Sequence, residues 1–234
     1  MGSKGSHLQI GADHGKSPSR TSPSDIGGVI LEGNLAIPEN ANGVILFAHG
    51  SGSSRHSPRN QYVAKVLQQA GLGTLLMDLL TVEEEKVDDY TMHFRFDIPL
   101  LAQRLAGAAE WLAGNQETGR LSIGYFGAST GAAAALVAAA NRPNVVKAIV
   151  SRGGRPDLAG ALLSKVRSPT LLIVGSYDKP VIEMNEEAQK QMRAECKLVI
   201  VPEATHLFEE PGALEQVAKL AVEWFTEHLK GSYE

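Results

Sequence analysis

From residue 43 onward the chain alternates short, nearly uninterrupted apolar runs with longer stretches of helical spacing, and this alternation narrows the folds open to it. The run GVILFAH at 43–49 is β-branched and aromatic, as in a strand buried on both faces of a parallel sheet. A Gly/Ser loop follows, then a predicted helix over 58–70, with Pro58 in its first turn and Ser57 as N-cap. LGTLLMDLL reads as a strand ending near Asp78, and 81–97 as a charged, irregular segment. Leu101, Leu105, Ala108 and Leu112 give helical spacing over 98–113. Then come a strand (LSIGYFG), a helix (STGAAAALVAAAN) and two strands (VVKAIVSR, PTLLIVGS). A helix (IEMNEEAQKQMRAE), a strand (KLVIVPE) and an amphipathic helix (ALEQVAKLAVEWFTEHL) close the chain. Such alternation predicts a mostly parallel sheet with helices on both faces, a three-layer α/β architecture. Ahead of it, GGVILEGNLAIPENA reads as two strands joined by a turn at Glu32-Gly33-Asn34, an antiparallel N-terminal edge. About 17 residues separate the strand ending at Ser151 from the one starting at Pro169. That is room for a short helix and not for a cap domain.

The 234 residues suit a single domain, read here as 26–230 with no internal linker. Residues 1–25, rich in Gly, Ser, Lys and His, read as a flexible tail outside the fold, without the apolar centre of a signal peptide. A net charge of −4 with 43% hydrophobic residues points away from nucleic-acid and membrane-surface partners. No apolar run approaches the roughly 20 residues of a membrane span. Cys196 is the sole cysteine, which rules out an intrachain disulfide and fits a reducing, cytoplasmic setting.

Where the strand LSIGYFG gives way to the alanine-rich helix, Ser129 stands between Gly127 and Gly131. A serine at a tight strand-to-helix turn needs small neighbours, because side chains there would collide with strand and helix. Its hydroxyl then projects above the sheet, and the amide of Thr130 sits at a helix N-terminus, where it can stabilise an oxyanion. A plain glycine-rich turn whose serine caps the helix is the alternative reading of the motif, and the strand–turn–helix context of IGYFGAST weighs against it. A serine nucleophile also needs a histidine base oriented by a carboxylate. His7 and His14 fall in the tail, and His228 in a solvated helix end, which leaves His49, His56, His93 and His206. His206 follows the last strand and Asp178 the strand before it, so the order Ser129, Asp178, His206 suits a site at the C-terminal ends of parallel strands. The second oxyanion donor is expected in HGSGSSRHSPRN, where Gly50 and Gly52 let the chain turn the Ser51 amide inward. His49 is either a loop-shaping residue bonded to backbone or a second base.

FAHGSGSS, GYFGASTGAAAA, VGSYDKPV and ATHLFEEPGAL resemble motifs of the α/β-hydrolase superfamily, in its dienelactone hydrolase-like branch. The resemblance covers about 26–230. It implies an eight-stranded sheet, a Ser129–His206–Asp178 triad, and an oxyanion hole from the Ser51 and Thr130 amides. It implies hydrolysis of a small ester, thioester or lactone through an acyl-enzyme, with no metal or organic cofactor. Dienelactone hydrolase itself carries a cysteine nucleophile where this chain has serine, so the family label carries over without its substrate. Similar domains occur fused to phosphoribosyltransferases, and nothing in this chain resembles that partner domain.

Two other functions compete. ILFAHGSGSS followed by a helix and a strand ending at Asp78 imitates a dinucleotide-binding unit, but Arg55 stands at the third glycine position. A non-catalytic binder on the same fold is the other alternative. Arg152 and Arg155 flank two glycines in SRGGRPD, Arg55, His56 and Arg59 lie in the oxyanion loop, and Arg95 precedes the long helix. Around a pocket mouth these cations would favour an anionic acyl substrate, with Arg152, His56 and Arg55 as contacts. Alternatively the arginines tie loops together through Asp157, Asp78 or Glu209.

Overall fold

The computed structural model describes residues 4–10, by their backbone, and 29–229. Eight strands form one sheet in the order β1-β2-β4-β3-β5-β6-β7-β8. They are β1 (Lys4–Ile10), β2 (Leu31–Ile37), β3 (Gly43–Ala48), β4 (Gly73–Met77), β5 (Ser122–Ala128), β6 (Val146–Arg152), β7 (Thr170–Gly175) and β8 (Cys196–Val201). Strands β3 to β8 pair in parallel, while β2 runs antiparallel to both β4 and β1. The helices are α1 (Pro58–Gln69), α2 (Val82–Thr91), α3 (Ile98–Gly114), α4 (Thr130–Asn141), α5 (Lys179–Gln191) and α6 (Ala213–His228).

The period of two along β3 divides the core. Val44, Leu46 and Ala48 face the cluster built with α3 and α4, whereas Ile45 and Phe47 face the one built with α1 and α6. The chain is thus a three-layer α/β fold of the α/β-hydrolase type. Helix α4 is buried all round, and its alanines let it lie close to the sheet beside α3. Between β6 and β7 there is only a 3₁₀ segment, Pro156–Lys165, in place of a cap.

Three expectations need correction. Glu32-Gly33-Asn34 is not a turn: Leu31–Ile37 is a single strand with inner and outer faces alternating, and Gly33 pairs with Met77. The flexible tail assigned to 1–25 contains β1, whose backbone pairs with β2 from Lys4↔Ile37 to Ile10↔Leu31. Pairing of this kind is a main-chain property that a polar composition does not reveal. The rest of that assignment, His14 included, lies outside the described residues. Finally, 81–97 is not irregular. Thr81 and Glu84 form a reciprocal capping box, Glu84 N–H donating to Thr81 Oγ1 at 3.1 Å and Thr81 N–H to Glu84 Oε2 at 2.8 Å. Three glutamates in the first turn of α2 add to the dipole's stabilisation of that end.

Candidate active site

Ser129 joins β5 to α4 at φ 51°, ψ −121°, a conformation a non-glycine residue adopts only where its surroundings enforce it. The flanking glycines are required by contact. A Cβ on Gly127 would stand 2.8 Å from Ala132 N and 2.9 Å from Gly131 O, and one on Gly131 would press into the carbonyls of Ala48 and His49. Gly50 passes over the serine from the other side, where a Cβ would lie 3.1 Å from Ser129 Cβ. The Ser129 N–H donates to Arg152 O at 3.2 Å, and its carbonyl accepts from Ala132 and Arg155 amides, each at 3.1 Å. The elbow is thereby fastened to the end of β6.

Asp178 follows β7 and occupies the N-cap position of α5, yet its side chain makes no capping bond. Its Oδ2 lies 2.6 Å from His206 Nδ1 instead. Two hydrogen bonds hold their loops together: Tyr177 N–H donates to Ala204 O at 3.0 Å, and Glu203 N–H to the Ser176 side chain, Oγ, at 2.8 Å. Gly175 is small because the His206 loop crosses it: a Cβ there would meet Thr205 O at 2.6 Å. The His206 ring lies over Gly153, which is next in chain to the residue bonded to Ser129 N–H; a Cβ on Gly153 would be 3.4 Å from ring Cε1 and Nδ1. Ser129, His206 and Asp178 thus gather at the C-terminal ends of β5, β8 and β7.

His49 takes the loop-shaping role. It is buried, with Nδ1 3.0 Å from Gly50 O and Nε2 accepting the Leu79 N–H at 3.0 Å. Those partners define a neutral ring with its proton on Nδ1. Burial pulls its pKa below the ordinary value, against the opposing pulls of the Gly50 carbonyl and Asp78. The Ser51 amide donates to Thr130 Oγ1 at 2.9 Å, which pins the 50–54 loop to the first residue of α4. Sequence reasoning placed these two residues side by side but missed the bond, since only the fold brings a loop and a helix start 79 residues apart together.

A cavity of about 250 Å³ begins at Ser51 and Thr130 and runs between the 50–54 loop and α2, past Leu80, Leu101, Glu85 and Arg95. The SRGGRPD segment, whose arginines were expected around the pocket mouth, does not line it. Burial, then Asp78 and Asp89, raise the Glu85 carboxyl. Burial opposes ionisation of Asp88, but hydrogen bonds from Arg95, including its N–H at 3.0 Å, hold that carboxyl below its ordinary range.

The expected cationic rim is largely neutralised. Arg55 is not a free substrate contact: its guanidinium bridges Asp78 and Glu32, and its N–H donates to Asp78 Oδ1 at 2.7 Å. Asp78 is therefore occupied by Arg55, which removes the acidic residue that a dinucleotide unit would turn toward a ribose. Arg59 pairs with Glu209, Arg155 with Asp157 and Arg95 with Asp88. His56 is exposed and outside the cavity lining. Arg152 is buried without a carboxylate partner among the described residues, and it too lies outside that lining.

Residues 31–230 match the model of the dienelactone hydrolase family. A dienelactone hydrolase from Anabaena variabilis is 58% identical, with a TM-score of 0.90 over 97% of this chain and 99% of that one. A Mycobacterium tuberculosis protein that carries the name of a phosphoribosyl transferase is 58% identical over 205 residues, 88% of this chain. The chain spans about half the length of that relative, 45%. In fold, a lidless α/β serine hydrolase of Xanthomonas campestris is similar at a TM-score of 0.72 and 18% identity, covering 98% of this chain and 97% of that one. Est1E from Butyrivibrio proteoclasticus is similar at 0.73 and 17%, covering 95% and 99%. With its glycine-flanked elbow, its short segment in place of a cap and a family match across nearly all the described residues, the chain belongs to the dienelactone hydrolase family.

Proposed function

We propose that this hydrolase opens a small ester, thioester or lactone through an acyl-enzyme on Ser129. The observation that carries the reading is the 2.6 Å contact between His206 Nδ1 and Asp178 Oδ2, at the same end of the sheet as the strained Ser129. Asp178 holds the Nδ1 proton, so Nε2 is free to take the Ser129 proton as Oγ attacks the carbonyl carbon. The oxyanion forms near the amides of Thr130 and Ser51. The Thr130 amide belongs to the first turn of α4 and has no intrahelical acceptor. The Ser51 amide, held by Thr130 Oγ1 at rest, shares its hydrogen with the oxyanion. Collapse breaks the acyl–oxygen or acyl–sulfur bond, and His206 returns its proton to the leaving group. Water, deprotonated by His206, then attacks the acyl carbon; the acyl–Oγ bond breaks, His206 returns the proton to Ser129 Oγ, and the acid leaves. Leu79, Leu80 and Leu101, which line the cavity that begins at Ser51 and Thr130, give the acyl chain an apolar seat. This reading requires no metal or organic cofactor, and the lone Cys196 keeps a cytoplasmic setting part of it.

A fluorophosphonate probe and p-nitrophenyl acetate test the reading together. Wild type is expected to label at Ser129 and to turn over. Ser129→Ala is expected to lose labelling and at least about 10³-fold in kcat, since triad members act as a unit. An alanine variant with most of the wild-type kcat would exclude Ser129 as nucleophile. A wild type that neither labels nor turns over would leave a ligand-binding role for the fold.

A further inference from the structure

Arg152 ends β6 with 8% of its surface exposed, and its Nε and Nη1 atoms are buried with no hydrogen-bond partner. A buried guanidinium without a counter-ion is costly, and an apolar side chain of similar volume would serve packing alone at least as well. Burial, and then the like charge of Arg59, pull its pKa down to about 10. What covers the cation is the ring of Phe208, whose centroid lies 6.0 Å from Cζ, at the limit of cation–π reach. Phe208 is 1% exposed and held at φ 56°, a left-handed backbone unusual for a bulky side chain. It lies two residues after His206, and its N–H closes the turn by donating to Thr205 O at 3.3 Å. The backbone around Arg152 reaches the same centre: its carbonyl accepts the Ser129 N–H, and Gly153, at φ 51°, underlies the His206 ring.

We propose that Arg152 is a positioning residue, its guanidinium holding the face of Phe208 so that the 205–208 turn keeps His206 over Gly153 and within reach of Ser129. The proposal rests on the triad reading above. It replaces the expectation that Arg152 contacts an anionic substrate. Small displacements of a catalytic base are expensive: about 1 Å can cost about 10²-fold.

The test compares Arg152→Met, Phe208→Leu, Phe208→Tyr and the Met/Leu double variant on p-nitrophenyl acetate and on its carboxylated analogue, p-nitrophenyl hydrogen succinate. Ser129→Ala is run alongside. Arg152→Met and Phe208→Leu are each expected to lower kcat by about 10- to 100-fold on both esters, with KM little changed. The double variant should be no worse than either single one, because both break the same contact. Phe208→Tyr, which keeps the ring face, should retain most of the wild-type kcat. Loss in Arg152→Met on the carboxylated ester alone would overturn the proposal in favour of a substrate contact. Equal loss in Phe208→Tyr and Phe208→Leu would also overturn it, and these two variants decide the matter if Arg152→Met fails to fold. If Ser129→Ala is inactive while Arg152→Met matches wild type, only the positioning role fails. If Ser129→Ala is active, the triad reading itself fails.

Discussion

At the scale of single residues, the turn around Ser129 was legible because its glycine spacing is a local signature. Gly127, Ser129 and Gly131 span five residues of chain, although what a Cβ would meet differs: on Gly127 the start of α4, on Gly131 the carbonyls of Ala48 and His49 at the end of β3. The arginines were not legible for the opposite reason. Arg55 meets Glu32 and Asp78, each 23 residues away, and Arg59 meets Glu209 at a separation of 150. No local pattern announces such pairs, so a string of cations looked like a substrate rim. His49 shows the same limit, since its Nε2 partner is the backbone of Leu79. Its geometry predicts a pH dependence of stability. The native fold favours the neutral ring, so its pKa is lower folded than unfolded. Above the unfolded value, about 6.5, its stabilising contribution is complete; below it, protonation of the unfolded chain erodes that contribution until the folded pKa is reached. His49→Gln cannot titrate. The stability difference between wild type and His49→Gln, from denaturant midpoints, is expected to be largest at pH 8 and to shrink at pH 5. A difference that grows on acidification would contradict the neutral assignment.

At the scale of elements, hydrophobic period identified the helices that cover the sheet and missed the one that does not. Helices α3 and α6 present apolar faces to the core, but only Asp88 of α2 is buried. With so little burial, α2 owes its existence to its ends: the Thr81–Glu84 box at one and the left-handed Met92, φ 54°, at the other. The four-residue box signature was present in the sequence, but a run of acids outweighed it. This helix carries Glu85 and Asp88 to the wall of the cavity, so its capping should be felt at the site. Thr81→Ala removes the hydroxyl that accepts the Glu84 N–H and is expected to cost about 0.5–2 kcal/mol. The wall should loosen with it, raising KM for p-nitrophenyl esters more than it lowers kcat. Thr81→Ser, which keeps the cap, should restore both. Thermal melts and steady-state kinetics on the three proteins provide the check.

At the scale of the whole molecule, the sheet order separates the site from the N-terminal edge. Ser129, Asp178 and His206 follow β5, β7 and β8, while β1 and β2 lie beyond β4 at the other side. The edge nevertheless matters to the molecule's solution behaviour. Without β1, the outer backbone of β2 from Leu31 to Ile37 would present unpaired N–H and C=O groups, a template for another chain's strand. The polar stretch Lys4–Ile10 covers that row. Removing residues 1–10 is therefore expected to leave kcat/KM for p-nitrophenyl acetate unchanged, because the elements that hold Ser129, Asp178 and His206 keep all their pairings. The same truncation should lower the melting temperature, by about 2–4 °C for each kcal/mol of lost edge pairing in a chain of this size. It should also shift the protein toward concentration-dependent association on size-exclusion chromatography. If kcat/KM falls along with the melting temperature, the edge and the site are coupled through the sheet. If neither the melt nor the elution profile changes, the β1–β2 pairing contributes nothing to the native state.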